Sequence, residues 1–249
     1  MRNLLSDDEL EASAIVANCR MNRQRQLLGG NGYDKELGIN PIDFLQELAA
    51  TSRAFATADA GATESIEPIR WLDLCCGTGR ALIEMAEHCQ GTEFEDRIEI
   101  VGIDLVDYFF PVPTPIKSLE LKTASLSHWA PTGSAKFDLI TCVHGLHYIG
   151  DKLGLLERIC GWLKPAGTFI GQLDLDNVRD QAGQKVAKIL LQTFRKNEFD
   201  FCPRRRRLRS DGAQEVSFEA EYLGGDDTAG PNFTGQPAVN SYYHFAARR

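Results

Sequence analysis

Residues 71–80 read Trp-Leu-Asp-Leu-Cys-Cys-Gly-Thr-Gly-Arg: an apolar run holding Asp73, then two glycines on either side of Thr78. Gly77 and Gly79 lack the Cβ atoms that keep a ligand away from the backbone, so this turn can lay main-chain groups against a small molecule. Such a strand–turn–helix junction falls at the carboxyl end of a strand, where open α/β sheets bind ligands. A dinucleotide fingerprint needs a third glycine, and Leu82 occupies that position, which weakens the dinucleotide reading. Asp104 ends the next strong apolar run, where an acid can accept hydrogen bonds from ribose hydroxyls; Asp107 is its nearby competitor.

Proton transfer near neutral pH would fall to histidine. His144 and His147 follow the apolar run 137–143, and His244 lies near the end of the chain. Cys142 could be a nucleophile, but its place inside that run reads better as a buried core thiol. Arg204, Arg205, Arg206, Arg207 and Arg209 form the one basic cluster. On a strand these arginines would alternate between faces and pair with Glu215, Glu219 and Glu221 on a neighbour. An anionic substrate or RNA is the alternative partner.

The elements that must position these groups alternate. Apolar runs at 69–75, 98–105, 137–143 and 168–175 read as strands, with a weaker one at 118–124. Helical patterns cover 78–89 and 152–163. Alternation of this kind implies parallel βαβ units and a doubly wound sheet buried on both faces. Before this core, residues 1–67 read as a helical cap or lid: Leu10, Ile15, Val16 and Cys19 are at helical spacing, the glycines of 29–32 break the pattern, and Pro41 starts a helix over 42–55. After the core at 68–176, residues 177–249 read as a helix over 178–196, strands near 206, 218–222 and 241–246, and a polar loop at 224–238. All of this is expected to form a single domain.

Composition narrows the functional class. The 249 residues carry 27 Lys and Arg against 35 Asp and Glu, a net charge of −8, which argues against a broad nucleic-acid-binding surface. No apolar run is long enough to span a membrane, and the acidic start does not read as an export signal. Seven cysteines without paired CxxC units suit reduced thiols in the cytoplasm and no metal site.

Taken in order, these segments resemble the class I S-adenosylmethionine-dependent methyltransferases over about residues 68–175. The turn at 73–79 is similar to the family's Asp-x-Gly-x-Gly-x-Gly loop, with Cys75 in place of the first glycine. Phe137-Asp138-Leu139-Ile140 with Leu146-His147-Tyr148 resembles the fourth strand and the segment after it, and residues 163–168 resemble the turn before the fifth.

The resemblance implies a mostly parallel seven-stranded sheet with helices on both faces and an N-terminal helical extension. It also implies S-adenosylmethionine as cofactor, held by Asp73, Cys75, Gly77, Thr78, Gly79, Asp104, Leu105, Ser125, Leu126 and Val143. Ser125 stands where the family often has an acid near the adenine amine. Any proton the acceptor loses would go to His144 or His147. The flanks would choose the acceptor, through Arg23, Tyr33, His147, Tyr148, Asn232 and Gln236. The expected partner is a small-molecule metabolite, with a homodimer as the assembly and neither membrane nor nucleic acid involved. RNA or protein methylation, and a non-catalytic donor-binding module, are the rival readings.

Overall fold

The computed structural model describes residues 3–17, 24–58 and 67–246, with backbone alone at 17 and 52–58. In chain order the helices are α1 (Asp7–Glu11), α2 (Ala14–Ala17), α3 (Tyr33–Leu37), α4 (Pro41–Ala58), α5 (Arg80–Cys89), α6 (Lys152–Trp162) and α7 (Ala187–Lys196). The strands are β1 (Ile69–Leu74), β2 (Ile98–Asp104), β3 (Leu119–Thr123), β4 (Phe137–Cys142), β5 (Leu163–Gln172), β6 (Val178–Asp180), β7 (Asp200–Cys202), β8 (Arg207–Asp211), β9 (Ala220–Asp226) and β10 (Asn240–Phe245).

Among the described residues the main sheet has seven strands in the order β3-β2-β1-β4-β5-β8-β7. The pairs from β3 through β5 are parallel, and β8 runs antiparallel to both β5 and β7. β1 is central and buried along almost its whole length, because both faces are covered. On one face α4 and α5 bury Leu45, Ala49, Leu82 and Met85. On the other, α6 and α7 bury Leu156, Ile159, Leu190 and Phe194. No helix joins β2 to β3: residues 105–118 include Pro111, Pro113 and Pro115, which lack the N–H groups a helix needs.

Three sequence expectations change. The helix expected over 178–196 begins at Ala187. Its first residues form β6 against β10, and the chain then turns at Gly183 with φ +82°, outside the helical region. β8 and β9 are not neighbours: β9 pairs with β10 in a separate three-stranded sheet, β6-β10-β9. β5 starts at Leu163 rather than 168, with a register shift between Phe137 and Leu139 on β4 that absorbs the Lys164–Gly167 turn.

Cys19 and Arg23, with Arg20 and Asn22, lie outside the described residues. Cys75, Cys76, Cys89, Cys142, Cys160 and Cys202 are free thiols. No helix among the described residues is long and apolar enough to cross a membrane.

Candidate functional site

A cleft of about 820 Å³, counting the solvent at its mouth, runs along the carboxyl ends of the parallel strands. Its wall follows the sheet order: Ala124 and Leu126 after β3, Asp104 and Leu105 at β2, Cys75 to Gly77 after β1, and Val143 to Gly145 after β4. Its wall is mostly apolar with a few convergent polar groups, as in sites for small organic ligands. The turn after β1 is built by left-handed backbone at Cys75, Gly77 and Gly79, with φ +60°, +63° and +71°. Cys75 thus adopts a conformation that ordinarily favours glycine, at the position where the family's first glycine stands. Gly145 packs directly against Cys75, and a Cβ on Gly145 would lie 2.4 Å from Cys75 Cβ, so position 145 has room only for glycine. The Cys75 thiol is held protonated by its hydrogen bond with Cys142 and by burial. Cys142 is fully buried and does not line the cleft, as a core thiol would be.

Beneath this turn Asp73 is buried and bound on both oxygens. Tyr33 Oη donates to Oδ2 at 2.6 Å and Thr141 Oγ1 to Oδ1 at 2.5 Å. Trp71 Nε1 donates in turn to Thr141 Oγ1 at 2.8 Å. Burial outweighs these donors and pushes the Asp73 carboxyl up to about 7. An acid whose pKa rises on folding from about 3.9 stabilises most fully below that value and loses the contribution as pH rises through its folded pKa. Urea unfolding across this range should therefore show wild-type stability falling relative to Asp73→Asn between about pH 4 and pH 7. Parallel profiles would contradict this assignment.

Asp104 is buried and faces the cleft. Its Oδ2 accepts from Gly77 N at 2.8 Å and its Oδ1 from Val106 N at 3.2 Å, which fixes the carboxylate beside the glycine turn.

Over the β4 side of the cleft lies a polar chain. Arg25 is buried and donates through Nη1 to Glu36 Oε1 at 2.8 Å and to Asn31 Oδ1 at 3.0 Å, while its Nε has no partner among the described residues. Glu36 Oε2 lies 3.0 Å from His144 Nε2, and the His144 ring, more than the guanidinium, holds the Glu36 carboxyl below its usual range. His144 Nδ1 is 3.4 Å from His147 Nε2. His147 is completely buried, and burial pushes its pKa well down, so it stays neutral. Phe233 packs on both rings, at 5.8 Å from His144 and 5.4 Å from His147. Tyr148 Oη donates to Gln236 Oε1 at 2.7 Å and both residues line the cleft.

Among the described residues the arginine cluster does not pair with Glu215, Glu219 or Glu221. Arg206 pairs with buried Asp174 and lies 5.0 Å above the Phe233 ring, Arg205 donates to Lys35 O at 3.0 Å, and Arg209 pairs with Asp211 on its own strand at 2.9 Å. Arg207 lies against Gly38. These arginines tie down the segments around α3 and Phe233, because β8 neighbours β5 and β7 rather than β9.

Of the residues singled out from sequence, Tyr33, Cys75, Gly77, Asp104, Leu105, Leu126, Val143, His144, Tyr148 and Gln236 line this one cleft. Asp73, Thr78, Gly79, Ser125, His147 and Asn232 are not among its lining residues. Asn232 instead caps its own loop through bonds from Thr234 and Gln236 backbone N–H groups. The Ser125 hydroxyl donates to Glu11 at 2.8 Å. Glu11, Val16 and Arg25 line the cleft without any sequence signal for it, since their neighbours in space are remote along the chain.

A methyltransferase-domain model matches residues 41–209. The chain belongs to this family, the class I S-adenosylmethionine-dependent methyltransferases, whose cofactor is S-adenosylmethionine. Over 102 residues it is 31% identical to a demethylmenaquinone methyltransferase of Lactobacillus johnsonii, covering 39% of this chain and 40% of that one. Among solved structures it is similar to the CurJ carbon methyltransferase, with 14% identity, a TM-score of 0.42 and coverage of 66% and 54%. It is also similar to an S-adenosylmethionine-dependent methyltransferase from Mesorhizobium loti, with 22% identity, a TM-score of 0.35 and coverage of 55% and 57%. The chain thus spans about half the length, or less, of these relatives.

Proposed function

We propose that this protein transfers a methyl group from S-adenosylmethionine to a small-molecule acceptor. The observation that carries the reading is the row of groups along one cleft: the Asp104 carboxylate at β2, the glycine turn after β1 and the Arg25 guanidinium on the β4 side. Asp104 would accept from the ribose hydroxyls. Arg25, whose buried Nε has no partner among the described residues, would meet the donor's carboxylate. The Cβ-free Gly77 lets the turn approach the methionine part of the donor.

The donor supplies a methyl carbon already activated by positively charged sulfur. The protein's task is then alignment, which can be worth roughly 7–11 kcal/mol. Tyr148 and Gln236, joined by their hydrogen bond, would orient the acceptor from the mouth of the cleft. Where the acceptor must lose a proton, His144 is placed to take it, because it faces the cleft with Glu36 beside Nε2. His147 would position His144 as a neutral neighbour. The small-molecule preference is supported by the arginine cluster, three of whose members already engage the chain's own groups.

The test is methyl-labelled donor incubated with protein and a cell extract, followed by separation by size. Label is expected in the low-molecular-weight fraction. Label confined to RNA or protein, or no label in any fraction, would overturn the proposal.

A further inference from the structure

We propose that Glu11, at the end of α1, accepts the hydrogen bond of the donor's adenine amine; this rests on the donor-binding reading above. Glu11 lines the cleft beside the apolar walls of Val16, Leu105, Ala124 and Leu126, a surface that suits a flat aromatic base. Its Oε1 accepts from Ser125 Oγ at 2.8 Å and from Ser127 Oγ at 2.9 Å. Both hydroxyl protons therefore point at one oxygen, and Oε2 has no partner among the described residues. Ser125 Oγ also accepts from Ser127 N at 3.1 Å, so that hydroxyl is engaged as donor and acceptor. Glu11 lines the cleft and Ser125 does not, so the carboxylate is the acceptor presented to a ligand.

The helix that delivers Glu11 is fastened at several points. Ser6 and Glu9 form a capping box at its start. Leu5 exchanges both backbone hydrogen bonds with Gly225, at 2.8 and 2.9 Å. Leu10 is buried against Val239, and Asp8 lies 2.9 Å from His128 Nε2. Ser125, Ser127 and His128 thus hold one face of α1 over the segment after β3.

Charge decides which end of the donor lies here. A methionine carboxylate beside Glu11 would meet a like charge, whereas Arg25 offers it a cation on the β4 side. The base is then left for the Glu11 end, with Asp104 between. An adenine amine is a pair of donors, which an unpartnered carboxylate oxygen can accept.

Calorimetry with S-adenosylhomocysteine and S-inosylhomocysteine tests this, because the second ligand presents a carbonyl acceptor in place of the amine donor. The wild type should prefer the adenosyl ligand by roughly 10- to 100-fold. Glu11→Gln keeps the shape and an oxygen for the serines, and can turn its NH₂ to the inosyl carbonyl, so the preference should shrink to within a few-fold. A preference unchanged in Glu11→Gln, or absent in the wild type, would overturn the assignment of Glu11 while leaving donor binding intact. Failure of the wild type to bind either ligand would overturn both readings.

Discussion

Asp104→Ala is expected to weaken S-adenosylhomocysteine binding by two orders of magnitude or more, measured by calorimetry. Two hydrogen bonds from ribose hydroxyls to a carboxylate are worth about 1.5–3 kcal/mol each. Every 1.4 kcal/mol is tenfold in affinity, so their joint loss is large. A second effect adds to it. Gly77 N donates to Asp104 Oδ2 at 2.8 Å, and without that acceptor the turn after β1 loses one of the bonds that set it against β2. Asp104→Asn keeps one carbonyl oxygen and the side-chain volume, so its loss should be intermediate. An alanine variant that binds within a few-fold of wild type would remove Asp104 from the donor site.

The other large effect is on stability. Lys152 is completely buried at the start of α6. Its Nζ donates to Ile149 O at 2.7 Å, Val239 O at 2.9 Å and Ser241 Oγ at 2.7 Å. Burial pushes its pKa down to about 7. Lys152→Met fills the volume but removes the donor from all three acceptors, of which those on Val239 and Ser241 are buried. At about 1–3 kcal/mol for each buried group left unsatisfied, a loss of about 3 kcal/mol is expected. For a chain of this size each kcal/mol shifts Tm by about 2–4 °C, so melting should fall by roughly 6–12 °C. Differential scanning calorimetry would read it directly, and a variant melting within a degree or two of wild type would show that Lys152 is not the fastening. Because Ile149 and Tyr148 line the cleft next to this anchor, the same variant should also bind the donor product more weakly.

Most of the parallel strands were legible because apolar residues fall on both of their faces, as a sheet covered on both sides requires; β3, with Glu120 and Lys122, gave the weaker signal. Gly77 and Gly79 marked the turn, since both carry positive φ. The antiparallel end of the chain was read less well. Whether β8 lies beside β9 depends on sheet order, and no local pattern in Arg204 to Arg209 or Phe218 to Tyr222 encodes which strand each will meet. The arginines looked like partners for nearby glutamates, yet Arg206 pairs with Asp174 on the segment after β5.

The same distinction runs through the site. Asp73, the glycine turn, Asp104 and the segment after β4 lie at strand ends, so hydrophobic periodicity and turn chemistry alone placed them along one edge of a sheet. The amino-acid sequence by itself therefore determined the sheet's parallel core and the backbone of its ligand edge. The tertiary structure decided what covers that edge: Tyr33 over Asp73, Glu36 beside His144, and Glu11 against Ser125 and Ser127. Strand ends are set by interactions between near neighbours, whereas these contacts join residues far apart in the chain, and only the packed molecule brings their charges and hydroxyls within hydrogen-bonding distance.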